Sequence, residues 1–186
     1  MKTSSMKTSS MTTRPENGEY AAYYEKYIAL VPAGDIVDLL EAQRLQTMQL
    51  FSARSEREGN FRYAPGKWTV KEVLGHLSDT ERIFAYRALR IARGDQTPLS
   101  GFEQDDYVKT GGFGERTLAE LAQEFAYVRA ATIALLGSLD EQAWVRRGVA
   151  NKNEISVRAL AFVIAGHELH HMRILQERYL ATIPRA

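Results

Sequence analysis

Four stretches of this 186-residue chain repeat their apolar residues at helical spacing, and that pattern limits the fold more than anything else in the sequence. The first runs from Asp35, a good N-cap, through Ile36, Leu39, Leu40, Leu50 and Phe51 to a stop at Gly59. The second opens with a capping box, Thr69-Val-Lys-Glu72, carries Val73, Leu77, Phe84 and Ile91, and ends at Gly94. The third opens with another, Thr117-Leu-Ala-Glu120, and runs through Leu121, Phe125, Val128 and Leu135 to Gly137. The fourth begins after Ser156 and holds Val157, Leu160, Val163, Ile164, Ile174, Leu175 and Tyr179. Four amphipathic helices of about 20 residues with little strand signal make an all-α four-helix bundle.

The connections add detail. Residues 94–116 form a glycine-rich crossover, long for a compact domain, and such a loop is placed to cover a site. Residues 144–155 read as one small β-hairpin turning at Asn151-Lys152-Asn153. The tyrosines at 20, 23, 24 and 27 suggest a short helical turn packed on the body, without a functional role.

The chain opens with a repeated polar pentamer, MKTSS-MKTSS, that can bury nothing. Residues 1–18 are therefore expected as a disordered tail or start-site artefact, and residues 19–186 as the bundle domain. The opening lacks the apolar core of a secretory signal, so a cytoplasmic protein is expected. No apolar run approaches the ~18 residues of a membrane span. With 24 Lys+Arg against 23 Asp+Glu, the net charge of +1 offers no basic face for a nucleic-acid partner. The cysteine count of zero excludes disulfides, thiolate metal sites and a cysteine nucleophile.

Histidine placement is the most informative chemistry. The four histidines are 76, 167, 170 and 171. His167 and His171 stand four apart on the fourth helix, ~40° apart around its axis, so both imidazoles can reach one ion. They continue the apolar stripe of Leu160, Val163 and Ile164 and should face the interior. His76 lies near the buried edge of the second helix, and packing of the two helices closes the set. Three buried imidazoles without a metal each need a hydrogen-bond partner or carry a desolvation cost. They are natural ligands for Zn, Ni or Fe, and three protein ligands leave a position open for catalysis. The plain alternative is three separate histidines, each satisfied by side chains or solvent. His170 turns toward the rim.

The string His167-Glu168-Leu169-His170-His171 also spells H-E-x-x-H, the zincin protease motif. The protease reading fails on its third ligand. Ile174 stands where the extended motif needs glycine, and no glutamate about 20 residues downstream is available before Ala186.

The segments Trp68-Thr-Val-Lys-Glu-Val-Leu-Gly-His76-Leu-Ser-Asp79-Thr-Glu-Arg82, Tyr86-Arg87-Ala-Leu-Arg90-Ile-Ala-Arg93-Gly-Asp95 and Gly166-His167-Glu168-Leu-His170-His171 together resemble the DinB/YfiT-like family of metal-binding four-helix bundles. The likeness runs over about residues 35–182. It implies His76, His167 and His171 as ligands to a divalent metal, with water in the open place. Zn or Ni leads, with Fe or Mn as the other candidates. It further implies a metal-dependent S-transferase using a low-molecular-weight thiol, or a metal-dependent hydrolase, acting on a small-molecule substrate. A homodimer is the corresponding assembly. The alternative is a non-catalytic metal-binding stress-response or sensor protein.

Around the metal, Asp79 and Glu168 are the candidates to orient an imidazole or move a proton, against a reading as helix-surface charge. Arg87 and Arg90 are the candidates to hold carboxylates of a thiol cosubstrate, against a solvated reading. Asp105, Asp106 and Tyr107 sit in the loop expected to cover the site, and Trp68 is expected to anchor the second helix.

Overall fold

The computed structural model describes residues 13–183. Four long helices build it: α2 (Ile36–Ser52), α4 (Val70–Ala92), α6 (Leu118–Gly137) and α8 (Val157–Ile174), the last prolonged by a π-helical turn at Leu175–Leu180. Short helices fill the connections: α1 (Glu25–Ile28), α3 (Glu56–Gly59), α5 (Gln104–Thr110) and α7 (Glu141–Val145). Both expected capping boxes are formed, at Thr69/Glu72 and Thr117/Glu120. Asp35 accepts from the N–H groups of Val37 and Asp38. The bundle is therefore the expected one, with α6 and α8 each packed against both α2 and α4.

The first helix is shorter than its periodicity suggests. It stops at Ser52 because Ser55 starts afresh. The Ser55 hydroxyl accepts from Glu58 N–H, and the Glu58 carboxylate accepts from Ser55 N–H at 2.7 Å. A third capping box competes with helix continuation.

Strands β1 (Arg147–Ala150) and β2 (Asn153–Ser156) form the small antiparallel hairpin. Its turn is the pair Asn151-Lys152, with φ of 50° and 64°, and Asn153 already belongs to β2. Positive φ at both central residues is the twist-matched hairpin turn. The long crossover is tied to the hairpin at Leu99, which bridges to Ala150. Val108 and Phe113 anchor the rest.

Of the segment expected as a tail, residues 13–18 are described, and they touch the body at a few points. Pro15 is buried, Arg14 donates to the carbonyls of Ile28 and Val31, and Arg147 donates to Gly18 O. Residues 1–12, with the pentamer repeat, lie outside the described residues.

Two apolar clusters fill the bundle. One is built on Ile36, Leu40, Phe84, Leu136, Leu160 and Ile164, the other on Phe51, Leu77, Leu121, Phe125 and Leu175. On every long helix the residues between the clusters are polar and buried: Gln43 and Thr47, Glu81, Arg129, and His167 with Glu168. This polar layer places the site.

Candidate metal centre

The histidines of α4 and α8 converge within that layer. His76 Nε2 lies 3.1 Å from His167 Nε2, and one ligand nitrogen from each of His76, His167 and His171 falls within 4.8 Å of the others. Two nitrogens coordinated to one tetrahedral zinc stand about 3.3 Å apart, so the convergence has the right scale. His76 and His167 are buried and His171 is half-buried. Burial pushes His76 down to about 4 and His171 to about 3. His167 is held well below its ordinary value by burial and then by the neighbouring imidazoles. All three rings are therefore neutral near pH 7, the form that ligates a metal.

Their surroundings fix the rings. Thr80 Oγ1 sits 3.3 Å from His76 Nδ1. With the hydroxyl accepting from Nδ1–H, His76 directs its Nε2 lone pair toward His167. Trp68 lies against His76, ring centres 4.8 Å apart, so the expected anchor of α4 also walls the site. Tyr27 packs edge-on against His167 and His170, at 5.4 and 5.3 Å. That contact depends on Gly166: a Cβ there would lie 2.0 Å from the Tyr27 carbonyl oxygen, so α1 can approach α8 only at a glycine. His170, as expected, is half-buried at the rim.

A cavity of about 280 Å³ reaches His76 and His167. Tyr23, Tyr24 and Tyr27 form one wall, Thr80, Phe84 and Arg87 of α4 another, and Phe102 to Asp105 a third, with Asn151 of the hairpin turn. The long loop thus contributes Asp105 to the cavity, while neither Asp106 nor Tyr107 lines it. The tyrosines, given no role from the sequence, line it as well. Their spacing of three and four was the available signal.

The remaining expected residues divide. Arg87 is buried on the cavity wall, donating to Ser100 O at 2.7 Å. Arg90 turns away to Asp95 and the Tyr86 hydroxyl. Asp79 pairs with Arg82 at 3.2 Å and is not among the cavity residues. Burial pushes its carboxyl up, against the opposing Arg82 charge. Glu168 is buried, and its carboxylate accepts from Thr47 at 2.5 Å and from Arg129 at 2.6 Å. Burial pushes the Glu168 carboxyl up while Arg129 and Thr47 pull it down.

Arg129 is the residue that sequence reasoning missed. Fully buried, it donates in a fork to both Glu81 oxygens at 2.8 Å, and also to Glu168, Gln43 Oε1 and Leu40 O. Gln43 in turn donates to Ala165 O, so the network joins all four long helices. Burial by itself lowers the guanidinium pKa, but the Glu81 and Glu168 charges hold it above its ordinary value. The signal was present: Leu40-Gln43-Thr47-Phe51 continues the apolar stripe of α2 with polar residues.

Together these features define a helical-bundle protein with a three-histidine site open to a cavity. The chain belongs to the DinB superfamily, whose family model matches residues 39–175. No curated protein matches the sequence. Among solved structures it is similar to YfiT from Bacillus subtilis, described as a probable metal-dependent hydrolase with an unusual four-helix bundle topology. That match has a TM-score of 0.70 and 18% identity, over 89% of this chain and 90% of that one. The DinB-like YjoA from Bacillus subtilis matches with a TM-score of 0.57 and 20% identity, over 81% and 94%. A mycothiol-dependent maleylpyruvate isomerase matches with a TM-score of 0.61 and 12% identity, over 80% of this chain and 63% of that one. Among the described residues no helix is long and apolar enough to cross a membrane.

Proposed function

We propose that this protein is a metal-dependent enzyme acting on small molecules. Its reaction is either hydrolysis or transfer of a low-molecular-weight thiol to an electrophile. The observation that carries the reading is the meeting of three neutral imidazoles, two of which line a cavity. Held by His76, His167 and His171, a divalent ion supplies a Lewis acid that draws the pKa of a water or thiol toward neutrality. Zinc or nickel suits three imidazole donors.

The chain's own residues do the rest. Thr80 fixes the His76 tautomer, and Trp68 and Tyr27 shield the rings from bulk water. Burial holds the Tyr27 hydroxyl above its ordinary pKa, so it remains a proton donor on the cavity wall. Glu168, tied to Arg129, serves here to set the rotation of α8, and Asp79 to pair with Arg82 on α4. The description of YfiT favours hydrolysis, and the mycothiol dependence of the isomerase favours thiol transfer. The chain's lack of cysteine agrees with a thiol brought by a cosubstrate. A cytoplasmic homodimer, with the exposed Leu45 of α2 in its interface, completes the reading.

Metal content of untagged protein by elemental analysis, set beside turnover of ester and electrophile-plus-thiol panels with and without chelator, tests it. Chelator-sensitive turnover is expected. Bound metal with no turnover in either panel points instead to a non-catalytic metal-binding sensor.

A further inference from the structure

The wall of the cavity holds a cation that makes no ion pair among the described residues. Arg87 is 2% exposed, yet among the described residues no carboxylate lies within 4.0 Å of it. The contrast is with Arg129, also buried but paired with two glutamates. Arg87 spends one nitrogen on the Ser100 carbonyl, and its guanidinium lies 5.5 Å from the Phe84 ring centre and 5.9 Å from that of Phe102. Burial depresses its pKa, partly offset by the charge of Tyr24 and a hydrogen bond with it. Natural proteins seldom leave a buried charge unpaired, because the desolvation is uncompensated. The same cavity supplies the place for the missing partner, since it joins Arg87 to His76 and His167.

We infer that Arg87 is a specificity residue that anchors a carboxylate of the substrate, and that the cavity selects a small organic acid with a flat body. Three observations set that class. A guanidinium donates to both oxygens of a carboxylate in a planar fork. Tyr24, Phe84 and Phe102 provide aromatic walls that suit a planar body. A volume of about 280 Å³ lies at the small end of ligand sites. Glu103 and Asp105, both exposed at the loop wall, disfavour ligands of higher negative charge such as phosphate esters. The inference rests on the proposed function only in treating this cavity as the substrate site.

Calorimetric titration with benzoate, and with neutral benzamide of the same shape, tests the anchor on the purified protein before and after chelation. Benzoate is expected to bind in both states at least roughly tenfold more tightly than benzamide. Arg87→Met should abolish that preference, and Arg87→Lys should keep the preference with weaker binding. Equal binding of the two probes by the wild-type protein overturns the inference, with no variant needed. So does an Arg87→Met protein of unchanged helical circular dichroism that still prefers benzoate. A protein that binds benzoate but no divalent metal refutes the metalloenzyme reading while supporting the anion anchor. One that binds zinc but not benzoate refutes the anchor alone.

Discussion

Two polar clusters sit side by side in the middle of the bundle, and they obey different rules. Around Arg129 every charge has a partner: Glu81, Glu168, Thr47 and Gln43 close the network. Around His167 the imidazoles face one another, with Thr80 beside the other ring nitrogen of His76. A saturated buried network specifies a fold, because each member would be costly to leave alone. A cluster of converging lone pairs beside a cavity is incomplete until something enters it. Adjacent residues, His167 and Glu168, therefore belong to different machinery, and burial alone does not tell them apart.

The largest effect should come from breaking the saturated side. Arg129→Met leaves two buried carboxylates facing each other and should destabilise the fold by about 3–5 kcal/mol in chemical denaturation. Adding Glu81→Leu and Glu168→Leu should recover most of that loss, since an apolar layer of similar volume has no charge to bury. If the triple variant is no more stable than the single one, the network is more than a folding device.

The histidine side should respond the other way. His171→Ala should lower divalent-metal affinity by roughly 100-fold or more while leaving the metal-free melting temperature nearly unchanged. Thr80→Val, which removes the group orienting His76, should weaken metal binding by about 10- to 100-fold, read by competition with a chelating dye. Unaltered affinity in Thr80→Val would mean that packing against Trp68 alone sets the ring.

A second saturated pair supplies a pH test. Burial raises the Glu19 pKa, but hydrogen bonds from Arg158, Ser156 and the Glu16 N–H reverse this and hold it at about 2, against an ordinary 4.5. Between those values the unfolded chain binds a proton at Glu19 that the native chain does not. Stability should therefore fall as pH drops from about 4.5 toward 2. Glu19→Gln should flatten that slope and reduce stability near neutrality by about 1–2 kcal/mol. The smallest effect is expected at Asp79, whose pairing with the half-exposed Arg82 makes Asp79→Ala worth at most ~0.5 kcal/mol. A loss of turnover in that variant would restore a chemical role for Asp79.

Legibility in the sequence followed the range of the interactions. Caps and hairpin turns are local, so Thr69, Thr117 and the Asn151-Lys152 turn could be read directly. The capping box at Ser55 is equally local, but it falls inside an apolar period that runs on toward Gly59. The i, i+4 histidine pair was legible as well, since both members ride one helix. The inward-facing Gln43, Glu81 and Arg129 were harder, because a charged residue on an amphipathic helix is usually solvated.

The sequence by itself determined the four long helices, most of their caps and the i, i+4 histidine pair, because helical period, capping and spacing along one helix are properties of short segments. Only the tertiary structure decided which polar residues share the central layer, and that Arg87 faces the cavity while Arg90 turns to Asp95. It also decided that α1 could bring Tyr27 over His167 at Gly166. Those choices depend on how helices rotate and approach one another, which is settled by packing between residues far apart in the chain.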